Sequence, residues 1–474
     1  MRLLPFLIVF VLFFPAQFEA AELSDASSEC LDCHASIAPG MVAGWQNSRH
    51  ARVSPLEGLK KPELERRVSA KWVPSDLVQN VVGCAECHTL NPEKHSDTFE
   101  HNGYQVHIVV TPEDCATCHP VEEKQYGQNL MSHAYGNLMN NFLYQDLMRT
   151  INGVQFLDEG QIGIKPASPE TSDDSCLSCH GTRVEVKGFD ERDTEMGEME
   201  FPVLSGWPNV GVGRINPDGS RGSCSSCHSG HRFSIEMARK PHTCSQCHKG
   251  PDVPIYKIYQ VSKHGNIYSS IGKKWNFEEV PWTAGEDFTA PTCATCHVSL
   301  VVTPEGDVVA ERTHQMNNRL PWRIFGLIYA HPHPKSPDTS VIKNKTGLPL
   351  PTDLSGEPAS TYLIDNNEQH KRRKILQKVC LTCHSQQWVD GHWARFENNI
   401  ETTNEITVTA TDLMPKAWET GEATCLAQND SIFNEAIEKK CMEQWLFFAN
   451  STRMSTAIHG TDYSVFDNFR WHMA

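Results

Sequence analysis

Residues 224–248 read CSSCHSGHRFSIEMARKPHTCSQCH, a stretch in which the pattern Cys-x-x-Cys-His occurs twice. The same pattern occurs eight times in the 474-residue chain and takes up 16 of its 18 cysteines. A random chain with this cysteine and histidine content would hold about 0.03 copies, so the repeated pattern decides the class of protein. The copies are Cys30-Leu-Asp-Cys33-His34, Cys84-Ala-Glu-Cys87-His88, Cys115-Ala-Thr-Cys118-His119, Cys176-Leu-Ser-Cys179-His180, Cys224-Ser-Ser-Cys227-His228, Cys244-Ser-Gln-Cys247-His248, Cys293-Ala-Thr-Cys296-His297 and Cys380-Leu-Thr-Cys383-His384.

The spacing of the pattern suits covalent attachment of heme. Two thiols three residues apart can add to the two vinyl groups at one heme edge, and the adjacent histidine then binds the iron as proximal ligand. Zinc sites pair their Cys-x-x-Cys units and need no histidine directly after each one, and redox-active Cys-x-x-Cys pairs need none either. The sequence therefore predicts eight covalently bound c-type hemes, held by the sixteen motif cysteines and the eight motif histidines.

The motifs are unevenly spaced, with between 15 and 82 residues separating successive copies, and this excludes a solenoid of fixed period. With about 57 residues for each heme, neighbouring porphyrins must contact one another and form the core. We therefore predict a mainly α-helical fold with extensive loops and little β structure around a multiheme cytochrome c core. We expect residues 1–21 to be a signal peptide, 22–380 to hold motifs one to seven and the start of motif eight, and 381–474 to form a helical segment that completes the core.

The N-terminus and the net charge indicate the cellular location of the protein and the kind of partner that it binds. Arg2 followed by a short apolar run is typical of a secretory signal, so we expect a periplasmic protein. Phe18 ahead of Ala20 is a poor cleavage signature, which leaves an uncleaved anchor as the alternative. No later stretch approaches the roughly 18 apolar residues of a membrane span, so none is expected once the signal is removed. A net charge of −16 disfavours nucleic acid and suits basic periplasmic electron-transfer partners, or serves solubility alone.

Local patterns predict a few individual elements. Thr111, Pro112 and Asp114 give a helix start directly before the third motif. Residues 365–384 are predicted to form a charged helix that runs into the last motif, and apolar spacing predicts a helix over 430–449. The alternating residues 402–410 are the best candidate for a strand. The segment 201–223, with five glycines and three prolines, is expected to be a loop or hairpin, either a surface excursion or the wall of a substrate channel.

Cys425 and Cys441 are the two cysteines outside the motifs. In an exported protein such a pair favours a disulfide, which would tie the C-terminal helices together. Two buried free thiols are the alternative.

Fifteen histidines outside the motifs could supply distal iron ligands, so counting alone does not reveal an open iron. The order of the motifs and their flanking residues resembles the octaheme hydroxylamine oxidoreductase family over most of the mature chain. The resemblance implies seven distal ligands for eight irons, with His107 competing with His101 for one place. The implied distal ligands are His50, His101, His133, His231, His264, His314 and His459.

In that family the open iron belongs to the fourth motif, so the resemblance places the catalytic heme on Cys176 and Cys179 with His180 as proximal ligand. An open coordination site lets a small nitrogen compound reach iron. Family members that oxidise hydroxylamine carry an Asp-His pair after the sixth motif, of which only Asp252 has a counterpart here. A family tyrosine after the seventh motif is also missing, because Val298-Ser299-Leu300 stands there. One carboxylate can still relay protons, although a histidine is the better acid and base.

The resemblance also implies a homotrimer, in which a C-terminal tyrosine links covalently to the catalytic heme of a neighbouring subunit. Tyr463 is the candidate, although it lies about four residues closer to its ligand histidine than the family pattern requires. Members without the link reduce nitrite or hydroxylamine, so the resemblance favours the reductive type acting on a small inorganic nitrogen compound. Oxidation of hydroxylamine, and a non-catalytic electron-transfer protein with every iron six-coordinate, are the alternatives.

Overall fold

The structure is a computed structural model that describes residues 22–194, 197–466 and Met473. The predicted signal peptide, residues 1–21, lies outside the described residues. Among the helices of the described part, none is both long and apolar enough to cross a membrane.

Helices dominate the described residues, and those before residue 366 have at most 13 residues. The expected mainly α-helical fold is confirmed. The helices are α1 Asp25–Ile37, α2 Pro39–Gln46, α3 Pro55–Leu59, α4 Ala85–His88, α5 Pro112–Cys115, α6 Pro120–Gly127, α7 Ala134–Met139, α8 Phe142–Asn152, α9 Pro169–Asp174, α10 Cys176–His180, α11 Ser225–His228, α12 Ile235–Arg239, α13 Pro241–Ser245, α14 Ile255–Val261, α15 Lys263–Ile271, α16 Cys293–His297, α17 Asn366–Leu381, α18 Gln386–Thr411, α19 Leu413–Thr420, α20 Ala436–Met442, α21 Asn450–Ala457 and α22 Thr461–Phe466.

The strands of the described part are short and form small separate sheets, in keeping with the expected scarcity of β structure. Three are antiparallel hairpins of consecutive strands, β1 with β2, β3 with β4 and β5 with β6. The strands are β1 Phe99–His101, β2 Tyr104–Val106, β3 Val154–Asp158, β4 Gln161–Lys165, β5 Glu185–Thr194, β6 Gly197–Ser205, β7 Trp282–Thr283, β8 Val301–Val302, β9 Val308–Ala310, β10 Trp322–Arg323 and β11 His331–Pro332. The segment 201–223 completes the β5–β6 hairpin and continues as a loop, which confirms the predicted loop or hairpin.

The predicted helix start before the third motif is confirmed. The hydroxyl and backbone N–H of Thr111 both donate to the Asp114 carboxylate, at 3.2 and 2.8 Å, and Pro112 is the first residue of α5. Thr292 begins α16 in the same way, because its backbone N–H donates to Thr295 Oγ1 at 2.9 Å. Capping of this kind satisfies amide groups that a short helix leaves without partners.

The C-terminal region contains the longest helices. The helix predicted over 365–384 is confirmed as α17, and the one over 430–449 as α20 followed by the π-helical segment Glu443–Ala449. The strand predicted over 402–410 is wrong, because these residues belong to α18. Thr403, Thr407 and Thr411 recur every four residues and are buried on one face of that helix, so packing overrides the β preference of threonine.

Cys425 and Cys441 are free thiols in the structure, which is the alternative to the disulfide. Both border a cavity of about 200 Å³ whose walls are mainly leucine, isoleucine and aromatic side chains. Trp445 and Phe433 belong to the buried apolar cluster behind this cavity. The two thiols therefore act as small apolar groups in the C-terminal core.

Candidate heme-binding and reaction centre

Each described motif folds as a tight helical turn. In the second, third and sixth motifs the N–H of the histidine donates to the carbonyl of the first cysteine, at 2.9, 2.8 and 2.9 Å. Residues three and four apart lie on the same face of a helix, so this turn presents both thiols and the imidazole to one side. That is the arrangement that thioether attachment and proximal ligation of one heme require, so the residues fit the group that the sequence implies.

Four motif histidines face a second imidazole at nearly one distance. A metal–imidazole bond is about 2.0–2.1 Å long and the ring centre lies about 1.1 Å further on, so two rings on opposite sides of one iron have centres about 6.2 Å apart. The observed separations of 6.1–6.3 Å agree with this value. The pairs are His34 with His101, His119 with His50, His228 with His314, and His384 with His264.

The ring centre of His107 lies 6.1 Å from that of His88, but on the side of the His88 ring that carries Nδ1. The Nδ1–H of His88 donates to the backbone carbonyl of His107 at 2.8 Å, which leaves Nε2 on the opposite edge as the nitrogen free to bind iron. The geometry therefore favours His101 over His107 as a distal ligand. Burial is the main cause of the lowered pKa of His88, and the charges of His107 and then His231 lower it further. His231 is therefore also near this ring.

Three of the candidate distal histidines do not face a motif imidazole within the described residues. Nε2 of His133 donates to the Gly127 carbonyl at 3.1 Å. The ring of His459 packs against His392 and Trp388, with centres 4.0 and 4.8 Å apart. His231 has a left-handed backbone at φ 65°.

Four motif histidines are not members of these pairs, namely His88, His180, His248 and His297. Three candidate distal ligands remain for them. These three candidates come from the family resemblance, and other buried histidines, such as His331 and His333, are not among them.

Burial keeps several of the ligand histidines neutral, the form in which imidazole binds a metal. It lowers the pKa of His50, His88 and His297 to about 4 in each case. At neutral pH these side chains therefore need no deprotonation before they ligate iron.

His180 is the last residue of α10, and Gly181 turns the chain at φ 91° directly after it. The Nδ1–H of His180 donates to the Ala134 carbonyl at 3.4 Å, which leaves Nε2 for iron. The His180 side chain is exposed to solvent. Neighbouring parts of the chain nevertheless exclude enough water from the ring to lower the pKa of His180. The hydrogen bond to Ala134 and the charge of Asp252 act in the opposite direction.

Asp252 is an exposed side chain between the fourth and sixth motifs. Burial lowers the pKa of both His180 and His248, and the negative charge of Asp252 opposes that effect at each histidine. The two motifs are neighbours, because the Cys179 thiol lies 3.9 Å from the Gln246 carbonyl. The charge of Asp252 therefore acts on the histidines of both the fourth and the sixth motif.

Arg323, His331 and His333 are not among the site residues predicted from the sequence. The strands β10 and β11 pair Arg323 with His331, and both histidines are 2% exposed. Burial lowers the pKa of His331 to about 3, and the charge of Arg323 adds to this effect. The same charge contributes to lowering the pKa of His333 and of His180, so Arg323 acts electrostatically on both this strand pair and the fourth motif. The repeated histidine in His331-Pro332-His333 was the one visible signal.

Tyr463 lies in α22, where its backbone N–H donates to the Gly460 carbonyl at 3.0 Å. This helix packs against α14 and α21. Because α14 begins three residues after Asp252, the structure brings the helix of Tyr463 close to the segment that follows the sixth motif.

Comparison with known proteins identifies relatives of this chain. Residues 215–322 match the family described as "Seven times multi-haem cytochrome CxxCH", and residues 165–249 match "Cytochrome c7 and related cytochrome c". A solved "hypothetical multiheme protein" is 39% identical, with a TM-score of 0.88 over 96% of this chain and 95% of that one.

Two further relatives come from Kuenenia stuttgartiensis. A probable nitrite reductase-hydroxylamine oxidoreductase fusion protein is 26% identical over 387 residues, which are 77% of this chain and 34% of that protein. The chain thus spans about a third of the length of this curated relative. A reducing HAO-like protein complex shares the fold, with 17% identity, a TM-score of 0.59, and coverage of 95% of this chain and 82% of that one.

Proposed function

Because the chain belongs to the multiheme c-type cytochromes related to hydroxylamine oxidoreductase, we propose that it is an octaheme enzyme that reduces nitrite or hydroxylamine. The proposal is supported by the four facing imidazole pairs of the structure together with the family resemblance, which implies seven distal ligands for eight irons. Four motif histidines face a second ring at about 6.2 Å, and three candidates remain for the other four. One open iron among closed ones is the arrangement of a heme enzyme rather than of an electron wire.

We assign the open iron to the fourth motif, where the family resemblance puts it. Bound there, the heme would supply a coordination position for a small nitrogen compound together with electrons from the neighbouring hemes. His180 would hold the iron through Nε2 while the Ala134 carbonyl fixes its ring. A histidine fixed through its second nitrogen keeps one tautomer and one orientation.

Protons for the reduction would pass through Asp252. Its carboxylate is exposed to solvent and its charge acts on His180, so it can take protons from water and release them beside the reaction centre. The family's Asp-His pair after the sixth motif lacks its histidine in this chain. The Asp252 carboxylate would therefore carry the protons in the segment after the sixth motif.

The charge of Arg323 supports the reductive direction. Nitrite is an anion and hydroxylamine is neutral at physiological pH, so a guanidinium near His180 attracts nitrite more strongly.

The test combines spectroscopy with turnover. The exported holoprotein should show one high-spin ferric heme that responds to nitrite, hydroxylamine and cyanide, against a background of low-spin hemes. Turnover with reduced mediators should exceed turnover with oxidising mediators for the same substrate. Eight low-spin hemes indifferent to all three ligands would instead establish an electron-transfer protein.

A second measurement addresses the oxidative alternative. A trimer that survives boiling in detergent would establish the covalent link through Tyr463 and favour hydroxylamine oxidation. Separation into monomers with ordinary c-type heme spectra supports the reductive assignment. We also propose a periplasmic homotrimer that receives its electrons from periplasmic electron-transfer proteins.

A further inference from the structure

Arg319 is a buried arginine beside the seventh motif, and the proposed reaction centre does not use it. It ends a short 3-10 helix, and the residue is 2% exposed. Its guanidinium donates to the carbonyls of Cys296 and Ser299 at 3.1 Å each and of Thr295 at 3.4 Å. A fourth hydrogen bond goes to the Glu311 carbonyl. Two of these carbonyls thus belong to the seventh motif itself, and a third follows it closely.

These hydrogen bonds fix the turn that carries the seventh motif. The motif is the helix α16, and the last carbonyls of any helix lack partners inside it. An arginine side chain near the end of a helix can bind such carbonyls. Because the guanidinium is a rigid planar fork with five donors, it sets the direction of several carbonyls at once. Arg319 therefore restrains the turn that positions Cys296 and His297.

No carboxylate pairs with Arg319 within the described part of the chain, since its hydrogen bonds go to carbonyls and it forms no ion pair there. Arginine stays protonated in proteins, so a positive charge is buried at the end of the seventh motif. Burial is the main cause that lowers the pKa of His297 to about 4, and the charge of Arg319 is the next. The guanidinium therefore acts on the proximal ligand of the seventh heme.

We propose that Arg319 is a positioning residue of the seventh motif whose charge keeps the heme bound there at a raised reduction potential. Oxidation adds a positive charge at the iron, and a buried positive charge beside the iron ligand opposes that step. The seventh heme then retains an electron more readily than it would without Arg319. The proposal rests on heme attachment at the seventh motif, which lies within the matched residues 215–322, and not on the identity of the substrate.

Potentiometric titration of the purified holoprotein, followed by its optical and electron paramagnetic resonance spectra, tests the proposal. Arg319→Gln removes the charge and keeps an amide that can donate to the carbonyls. We expect one heme to become about tenfold harder to reduce, which lowers its potential by about 59 mV. Arg319→Lys keeps the charge and should keep that potential. Iron content per chain, measured in each variant, separates loss of the heme from a change in its potential.

Arg239→Gln is the matched control. Arg239 is 5% exposed and also donates to backbone carbonyls, those of Phe277 and Glu279, which lie outside every motif. Its replacement removes a similarly buried charge and should leave every heme potential as in the wild type.

Glu311→Gln gives a readout that does not depend on replacing a buried residue. The Glu311 side chain is exposed, and its negative charge acts on Arg319. Its removal should raise the potential of the same heme at low salt, and this result decides the question if Arg319→Gln yields no holoprotein. Unchanged potentials in Glu311→Gln or Arg319→Gln would overturn the proposal. An equal fall in Arg319→Gln and Arg319→Lys would also overturn it, because the hydrogen bonds alone would then set the potential.

Discussion

The positive charge of Arg323 is expected to favour binding of nitrite over hydroxylamine, the two proposed substrates. Replacing it in Arg323→Gln removes the positive charge near His180 and keeps a hydrogen-bonding group of similar length. We expect KM for nitrite to rise about tenfold, which corresponds to about 1.4 kcal/mol, and KM for hydroxylamine to change little. Steady-state kinetics with both substrates measures the difference.

Arg192→Gln is the control, because Arg192 lies on the β5–β6 hairpin and its guanidinium contacts the Phe201 ring. Its KM values should match the wild type. An equal rise in both KM values for Arg323→Gln would show that the guanidinium supports the structure rather than recognising the anion.

His231 offers a test of ligand assignment at the same scale. Its removal in His231→Ala should expose a second iron, because the family resemblance makes His231 a distal ligand and its charge acts on His88. We expect the high-spin signal to double and cyanide binding to rise from about one to about two equivalents per chain. His370→Ala should leave both values unchanged, and an unaltered spectrum for His231→Ala would exclude His231 as a ligand.

Among the elements, α10 is the one on which the reaction centre depends most directly. Gly181 ends this helix at φ 91° and ψ 152°, a backbone conformation that residues with a side chain rarely adopt. An added Cβ would lie 2.2 Å from the Arg214 nitrogen, so Gly181→Ala must move either α10 or the loop beside it. We expect loss of the fourth heme signal, together with a fall in thermal stability.

Gly160→Ala is the matched control for this change. Gly160 has φ 85° in the β3–β4 turn, and nothing lies within 4 Å of the added Cβ. It should cost about 1 kcal/mol from backbone strain alone, without altering the heme spectrum. Equal losses of thermal stability in the two variants would mean that backbone strain, and not the contact with Arg214, causes the effect of Gly181→Ala.

The elements also show what can be predicted from sequence and what cannot. The start of α5 was predictable because Thr111, Pro112 and Asp114 act within one turn. The helix at 402–410 was not, because its threonines become helical through packing against residues distant in sequence. The same limit applies to the site: motif spacing predicts the heme attachment points, whereas the charge of Arg323 acts on His180 only because of the fold.

Across the whole molecule, the net charge of −16 governs encounters with other proteins. We expect reduction by a small basic cytochrome to slow as ionic strength rises, because salt screens the attraction between opposite charges. Stopped-flow rates between about 0.01 and 0.5 M salt measure this dependence. An acidic cytochrome of similar potential should show the opposite trend, and rates independent of salt for both would exclude electrostatic steering.

The short helices before residue 366 set the order in which the molecule can be assembled. A helix of 13 residues or fewer is marginal in water, so the first seven motifs cannot build a stable scaffold before their cofactors are attached. The long helices α17 and α18 follow the first seven motifs in the chain, so they can pack only after that part has been synthesised. A cell short of heme should therefore degrade this protein during maturation instead of accumulating partly loaded copies, so cofactor supply sets its abundance.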